Sequence, residues 1–138
     1  MIIKIGIENN VLAEYNLVNG HNEFLLMCEA WEYIKLFNEI NSKRIGILLD
    51  LGHLNITSNT LKFDKNEFIK KFKNRVFAIH IHENNGKKDE HRKINRDDWS
   101  VSVIKKYFSK REIPIVLESK FSDRNDFESY LDLFFTLF

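Results

Sequence analysis

His80-Ile81-His82-Glu83-Asn84-Asn85-Gly86-Lys87-Lys88-Asp89-Glu90-His91 places three of the chain's five histidines, three acids and a glycine turn in twelve positions. The apolar run Val76-Phe77-Ala78-Ile79 leads directly into it. A buried strand therefore ends in a crowd of metal-type ligands. His80 and His82 are two apart, so on a strand they face the same side. Asp89 and His91 repeat that spacing beyond the Asn84-Asn85-Gly86 turn. Neutral imidazole and carboxylate are the usual ligands of zinc, manganese and similar divalent ions.

The rest of the chain repeats this pattern. Residues 2–7 form an apolar run that stops at Glu8, and residues 45–49 form one that stops at Asp50. Residues 113–117 form a fourth run, which stops at Glu118 and carries the only proline, Pro114, at its start. A missing donor is tolerable there. Between the runs the spacing is helical. Asn22 is placed as the cap of a helix with Phe24, Leu25, Cys28, Trp31, Leu36 and Ile40 on its apolar side. Residues 51 to about 63 read as a loop. Asp64 with Glu67 gives a capping-box spacing before Phe68, Ile69 and Phe72. Asp97 or Asp98 opens a helix with Trp99, Val103, Ile104, Tyr107 and Phe108 inward. Asp123 opens the last, with Phe127, Tyr130, Leu131 and Phe134 inward. The order is βαβαβαβα, which predicts a parallel sheet with right-handed crossovers. Each strand then delivers a potential ligand, Glu8, Asp50, His80 or Glu118, to the edge where parallel α/β folds place their chemistry.

Bulk composition narrows the function. The 138 residues suit one domain, 1–138, and 43% hydrophobic content supports a real core. A formal net charge of +1 gives no global basic field of the nucleic-acid-binding kind. The single cysteine, Cys28, reads as a small buried hydrophobe. No disulfide framework and no leader-like or membrane-length apolar run is present, so a cytoplasmic protein is expected. The apolar residues 134–138 need a core or a partner to cover them. Trp31 and Trp99 read as core, and His21 as a solvated loop residue.

Four motifs together resemble the xylose isomerase-like TIM-barrel superfamily, which contains sugar isomerases and epimerases and the endonuclease IV type of apurinic-site nuclease. They are Ile5-Gly6-Ile7-Glu8-Asn9-Asn10, Leu48-Leu49-Asp50-Leu51-Gly52-His53, the segment 80–91, and Ile115-Val116-Leu117-Glu118. The family's barrel has eight βα units, and a length of about 250 residues is typical. The resemblance therefore implies an α/β fold of four βα units: a half (β/α)8 barrel, strands five to eight of a TIM barrel, with helices outside. A half barrel leaves two parallel edges open. A homodimer, or a partner supplying the other half, would cover them.

The resemblance also implies roles. Glu8, Asp50, His80 and Glu118 match the ligands of a shared divalent metal (Mn, Zn, Co or Mg), and Glu8 and Glu118 match the acid–base pair of the epimerases. His53, Asp89 and His91 match either a second metal site, as in the nuclease branch, or substrate contacts. His82 and Glu83 read as residues that touch substrate or support the ligands from behind, with Glu83 orienting His80. Lys87 and Lys88, with Arg92 and Arg96, either hold a sugar phosphate or DNA phosphate at the mouth or form a solvated loop. The expected function is a metal-dependent sugar or sugar-phosphate isomerase or epimerase. The alternatives are a zinc-dependent abasic-site nuclease and a truncated, non-catalytic metal-binding subunit.

Overall fold

The fold is described from a computed structural model, for residues 3–138. Four apolar runs pair side by side in chain order: β1 (Ile5–Glu8), β2 (Ile45–Asp50), β3 (Val76–Ile81) and β4 (Ile115–Leu117). All three pairings are parallel, with Ile5 opposite Ile45, Asp50 opposite His80, and Ile81 opposite Leu117. Consecutive parallel strands require crossovers, supplied by α1 (Ala30–Ile40), α3 (Lys65–Phe72) and α4 (Trp99–Tyr107). Helix α2 (Leu51–Leu61) extends β2, and α5 (Arg124–Phe135) follows β4. Between β2 and β3 the register slips, because Ile47 pairs with Val76 but Leu48 with Ala78, leaving Phe77 as an extra residue. Among the described residues, no helix is long and apolar enough to cross a membrane.

Strand alternation separates two faces. Ile47, Leu49, Ile79 and Ile81 are fully buried and join Tyr33, Leu54, Phe68, Phe72, Val101 and Ile104 in the core. Tyr33 meets Phe68 edge-on at 5.9 Å, and Phe68 meets Phe72 at 4.9 Å. Burying each such side chain stabilises the fold by about 1.5–3 kcal/mol. The opposite face carries Gly6, Leu48, Ala78 and Val116 and ends in Glu8, Asp50 and His80. Val116 is 43% exposed there. This is the inner face of a partial barrel.

Several local expectations are corrected. The expected first strand began at Ile2, which lies outside the described residues; the strand runs Ile5–Glu8 and includes the acid. Asn22 caps no helix, because α1 starts at Ala30. The buried Glu32 carboxylate accepts from the main-chain N–H groups of Met27, Cys28 and Glu29 at 2.8–2.9 Å. Those bonds tie residues 27–29 into a turn, with Met27 at φ 62°. Trp31 is 57% exposed, not core. The expected loop after Asp50 is the helix α2, capped by Asp50 itself. Asp64 does cap α3, but through the Asn66 N–H, while Glu67 pairs with Lys70 instead of closing a capping box. Of the C-terminal apolar residues, Leu137 is buried, whereas Phe135 remains 73% exposed.

Candidate metal centre

The site is built outward from Asp50. Its main chain is gripped by the buried Asn9: Asp50 N–H donates to Asn9 Oδ1 at 2.8 Å, and Asn9 Nδ2 donates to Asp50 O at 2.9 Å. The Asp50 carboxylate, fully buried, accepts from His53 N–H at 2.7 Å through Oδ1. Its Oδ2 has no hydrogen-bond partner and faces His53 Nε2 at 3.8 Å and His80 Nδ1 at 3.9 Å. A buried carboxylate oxygen left bare costs free energy unless a proton or a cation meets it.

His80 lies between the edge strands. Its Nδ1 is 2.9 Å from Glu118 Oε1 and 3.3 Å from Glu8 Oε1. The closer contact is too poorly aligned for a hydrogen bond, so Nδ1 is unpartnered in a ring of carboxylates. Glu8, Asp50 and Glu118, at or just past the ends of β1, β2 and β4, thus surround His80 Nδ1.

A second group adjoins the first. His53 Nδ1 donates to the Asn9 carbonyl, and His91 Nδ1 donates to the Glu118 carbonyl, each at 2.9 Å. A carbonyl can only accept, so both Nδ1 atoms carry protons and both Nε2 atoms keep lone pairs in the neutral rings. Those Nε2 atoms point at Asp89 Oδ2, at 3.6 Å from His53 and 3.0 Å from His91. A lone pair that close to a carboxylate oxygen requires a proton or a metal cation between them. The ligand atoms of His53, His82, Asp89 and His91 lie within 4.8 Å of one another. The triplets Glu8–Asp50–His53 and Asp50–His82–Glu118 do the same. The bare oxygens, oriented lone pairs and N/O donor set all fit a divalent cation.

The charges are coupled. Burial works against ionisation of Asp50, but its contact with His82 and the nearby His53 hold the carboxyl below its usual range. Burial likewise opposes the charged form of His82, but Asp50 and then Asp89 outweigh it and raise the imidazole. Burial pushes Glu83 up, only partly offset by the hydroxyl of Ser100.

The loop after β3 is held by a polar network. Glu83 and Arg92 exchange main-chain bonds at 2.9 and 2.7 Å. Asn84 Nδ2 donates to Gly52 O, while its Oδ1 accepts from Asn55 Nδ2 and Gly86 N–H, each at 2.9 Å. Lys65 donates to Asn55 and lies over the Trp99 ring. Gly86 takes φ +74°, and Asn59 Nδ2 occupies the place of its absent Cβ. These bonds fold Asp89 and His91 back onto α2.

Other expected site residues lie elsewhere. The Glu83 carboxylate accepts from Ser100 Oγ at 2.6 Å rather than from His80. Lys87 and Lys88 stand apart from the ligand cluster. They line a cavity of about 830 Å³ with Tyr15, Asn59, Lys62 and Phe63. Asn9, Gly52 and Asn84 belong to the motifs quoted from the sequence but carry no role there; their signal is their place within two residues of a histidine or acid at a strand end.

Comparison with known proteins agrees with this fold. Residues 3–126 match the model of the xylose isomerase-like TIM barrel family. An uncharacterized protein of Methanocaldococcus jannaschii is 32% identical over 108 residues, which cover 75% of this chain and 32% of that protein. The crystal structure of a D-tagatose 3-epimerase-like protein matches with a TM-score of 0.69 at 25% identity, over 98% of this chain and 46% of that one. The chain thus spans about a third of the curated relative and under half of the solved structure.

Proposed function

Because this chain belongs to the xylose isomerase-like TIM barrel family, we propose that it supplies the metal-binding half of a divalent-metal-dependent sugar or sugar-phosphate isomerase or epimerase. The observation that carries this reading is the placement of Glu8 and Glu118 on opposite edge strands, both within 3.3 Å of His80 Nδ1. Glu8, Asp50, His80 and Glu118 would hold the cation. When bound, it would polarise a carbonyl and stabilise the developing enediolate.

The chain's own residues supply the proton traffic. Both glutamates are partly solvent-accessible, unlike Asp50, so they can reach a substrate above the site. One carboxylate takes a proton from carbon and the other returns one, each within reach of a sugar seated between the edges. The match to a D-tagatose 3-epimerase-like structure supports a small sugar as substrate. A second half barrel, from another copy or a partner chain, would cover the open edges of β1 and β4 and complete the pocket.

The test is solvent-deuterium incorporation into a panel of ketoses and ketose phosphates with manganese, cobalt, magnesium or zinc. Exchange at a carbon next to the carbonyl supports the reading. No exchange with any metal, in protein shown to be folded, metal-loaded and associated as a dimer or with its partner, removes it. The convergence of His53, Asp89 and His91 favours a second reading, zinc-dependent cleavage at abasic sites. Cleavage of an abasic oligonucleotide, without sugar exchange, would establish that one instead.

A further inference from the structure

The cavity of about 830 Å³ is lined by none of the candidate metal ligands, and the reaction above makes no use of it. Three stretches far apart in sequence wall it: Glu14 and Tyr15 after β1, Lys62 and Phe63 at the end of α2, and Lys87 and Lys88 in the loop after β3. Helix α2 holds both flanking segments. Thr57 Oγ1 accepts from Leu12 N–H at 2.9 Å on one side, and Asn59 Nδ2 donates to Gly86 O at 3.1 Å on the other. Asn85 Oδ1 accepts from the main-chain N–H groups of Lys87 and Lys88 at 2.9 and 3.0 Å, which curls the loop that carries both lysines. The walls are therefore preformed, so a ligand entering them orders little backbone. The volume falls within the roughly 300–1,000 Å³ of small-molecule sites.

The charge of the cavity is one-sided. Lys62, Lys87 and Lys88 are exposed and stand against one acid, Glu14. Among the described residues, the lysines in ion pairs are Lys35, Lys70 and Lys93. Those that lie over aromatic rings are Lys4, Lys65, Lys73, Lys93 and Lys106. The three cavity lysines do neither, so like charges gather with no carboxylate bound to them. The helix end beside them does not repel an anion through a bare Ser58 carbonyl, because that oxygen accepts from both Lys62 N–H and Phe63 N–H. Next to the lysines stands a bare ring. Tyr15 is 67% exposed, whereas Phe63 is held against Phe68 at 6.2 Å.

We propose that this cavity binds a nucleoside diphosphate, with its base on Tyr15 and its phosphates among Lys62, Lys87 and Lys88. Bases stack on aromatic rings whatever their identity, and lysine meets phosphate as a point charge. An inorganic anion would need no ring, and an apolar ligand would need no lysines. The site is separate from the metal centre and stands whether or not the chain acts on sugars.

Isothermal titration calorimetry of the purified protein in metal-free buffer tests it, so that no cation holds phosphates at the metal centre. ADP, GDP, CDP and UDP are titrated beside pyrophosphate. At least one nucleotide is expected to bind once per chain, more tightly than pyrophosphate and more weakly as salt rises. Tyr15→Ala should weaken that nucleotide about 5- to 150-fold, the loss of one base stack, and leave pyrophosphate unchanged. Lys87→Ala with Lys88→Ala should weaken both by at least about 10-fold, since each removes a charged donor. All three side chains are exposed, and circular dichroism checks that the variants keep the fold. No saturable binding by any of the four nucleotides overturns the proposal. So does pyrophosphate that binds as tightly as every nucleotide, or a nucleotide indifferent to either change. A single-stranded oligonucleotide that displaces the nucleotide at far lower concentration assigns the cavity to nucleic acid and overturns the free-nucleotide reading.

Discussion

Asn9 and Asp50 exchange two hydrogen bonds, at 2.8 and 2.9 Å, between the side-chain amide of one and the main chain of the other. The amide of Asn9 continues the β1–β2 ladder past its last backbone pair. It fixes the one fully buried carboxylate of the site by its backbone, so that Oδ1 caps α2 and Oδ2 is left for ligation.

Asn9→Leu should therefore destabilise the protein by about 2–4 kcal/mol, since it strands a buried N–H and a buried C=O together. Urea unfolding followed by circular dichroism reads this. A loss below about 0.5 kcal/mol, the range of ordinary surface substitutions, would mean that water or a shifted loop replaces the amide.

Gly52→Ala sets two effects against each other. Alanine in a helix gains up to about 1 kcal/mol over glycine. The added Cβ would overlap the His82 ring at 2.1 Å, and that ring is buried and stacked with no room to withdraw. Overpacking of this kind costs about 1–3 kcal/mol, so the net effect should be a lower melting temperature and weaker metal binding. A raised melting temperature with intact metal binding would show that His82 moves freely.

Cys28 gives a pH prediction. Burial, then the charges of Glu32 and Glu29, push its thiol up to about 12 from 9.0. The native thiol should be inert to a disulfide reagent at pH 8 and react fully in denaturant. The folded value lies above the unfolded one, so its contribution to stability is complete below pH 9 and is lost as pH rises toward 12. Rapid labelling of the native protein at pH 8 would contradict this burial.

Glu118→Gln should lower substrate proton exchange by at least about 100-fold, the lower end for loss of a general acid or base. Thermal unfolding should barely change, because the side chain is partly exposed at the sheet edge. An unchanged exchange rate would take Glu118 out of the mechanism.

The strands were legible because each is a short apolar run ending in one acid or histidine, and four ends at one rim imply convergence. The helix α2 was not. Asn55, Thr57, Ser58, Asn59 and Thr60 are weak helix formers. What holds them helical is tertiary: the Asp50 cap and the burial of Leu51, Leu54 and Ile56. The helix assigned from Asn22 failed for the opposite reason. The spacing was helical, but Glu32 draws three main-chain N–H groups into a turn. The ligand types and the shared side of His80 and His82 were readable. The stacking of His82 on His91 was not, because it depends on the Gly86 turn closing against Asn59.

The slipped register between β2 and β3 acts at a distance. Glu8 and Glu118 stand on the two outermost strands, so the gap between them is set by how strongly the sheet coils from β1 to β4. An extra residue in one strand sharpens local twist, and Phe77 is that residue, near the opposite end of β3 from His80. The sheet thus works as a calliper whose jaws are the two glutamates and whose setting screw is Phe77. Deleting this one side chain and its peptide, three residues before His80, would reset the span that the site offers to whatever it holds.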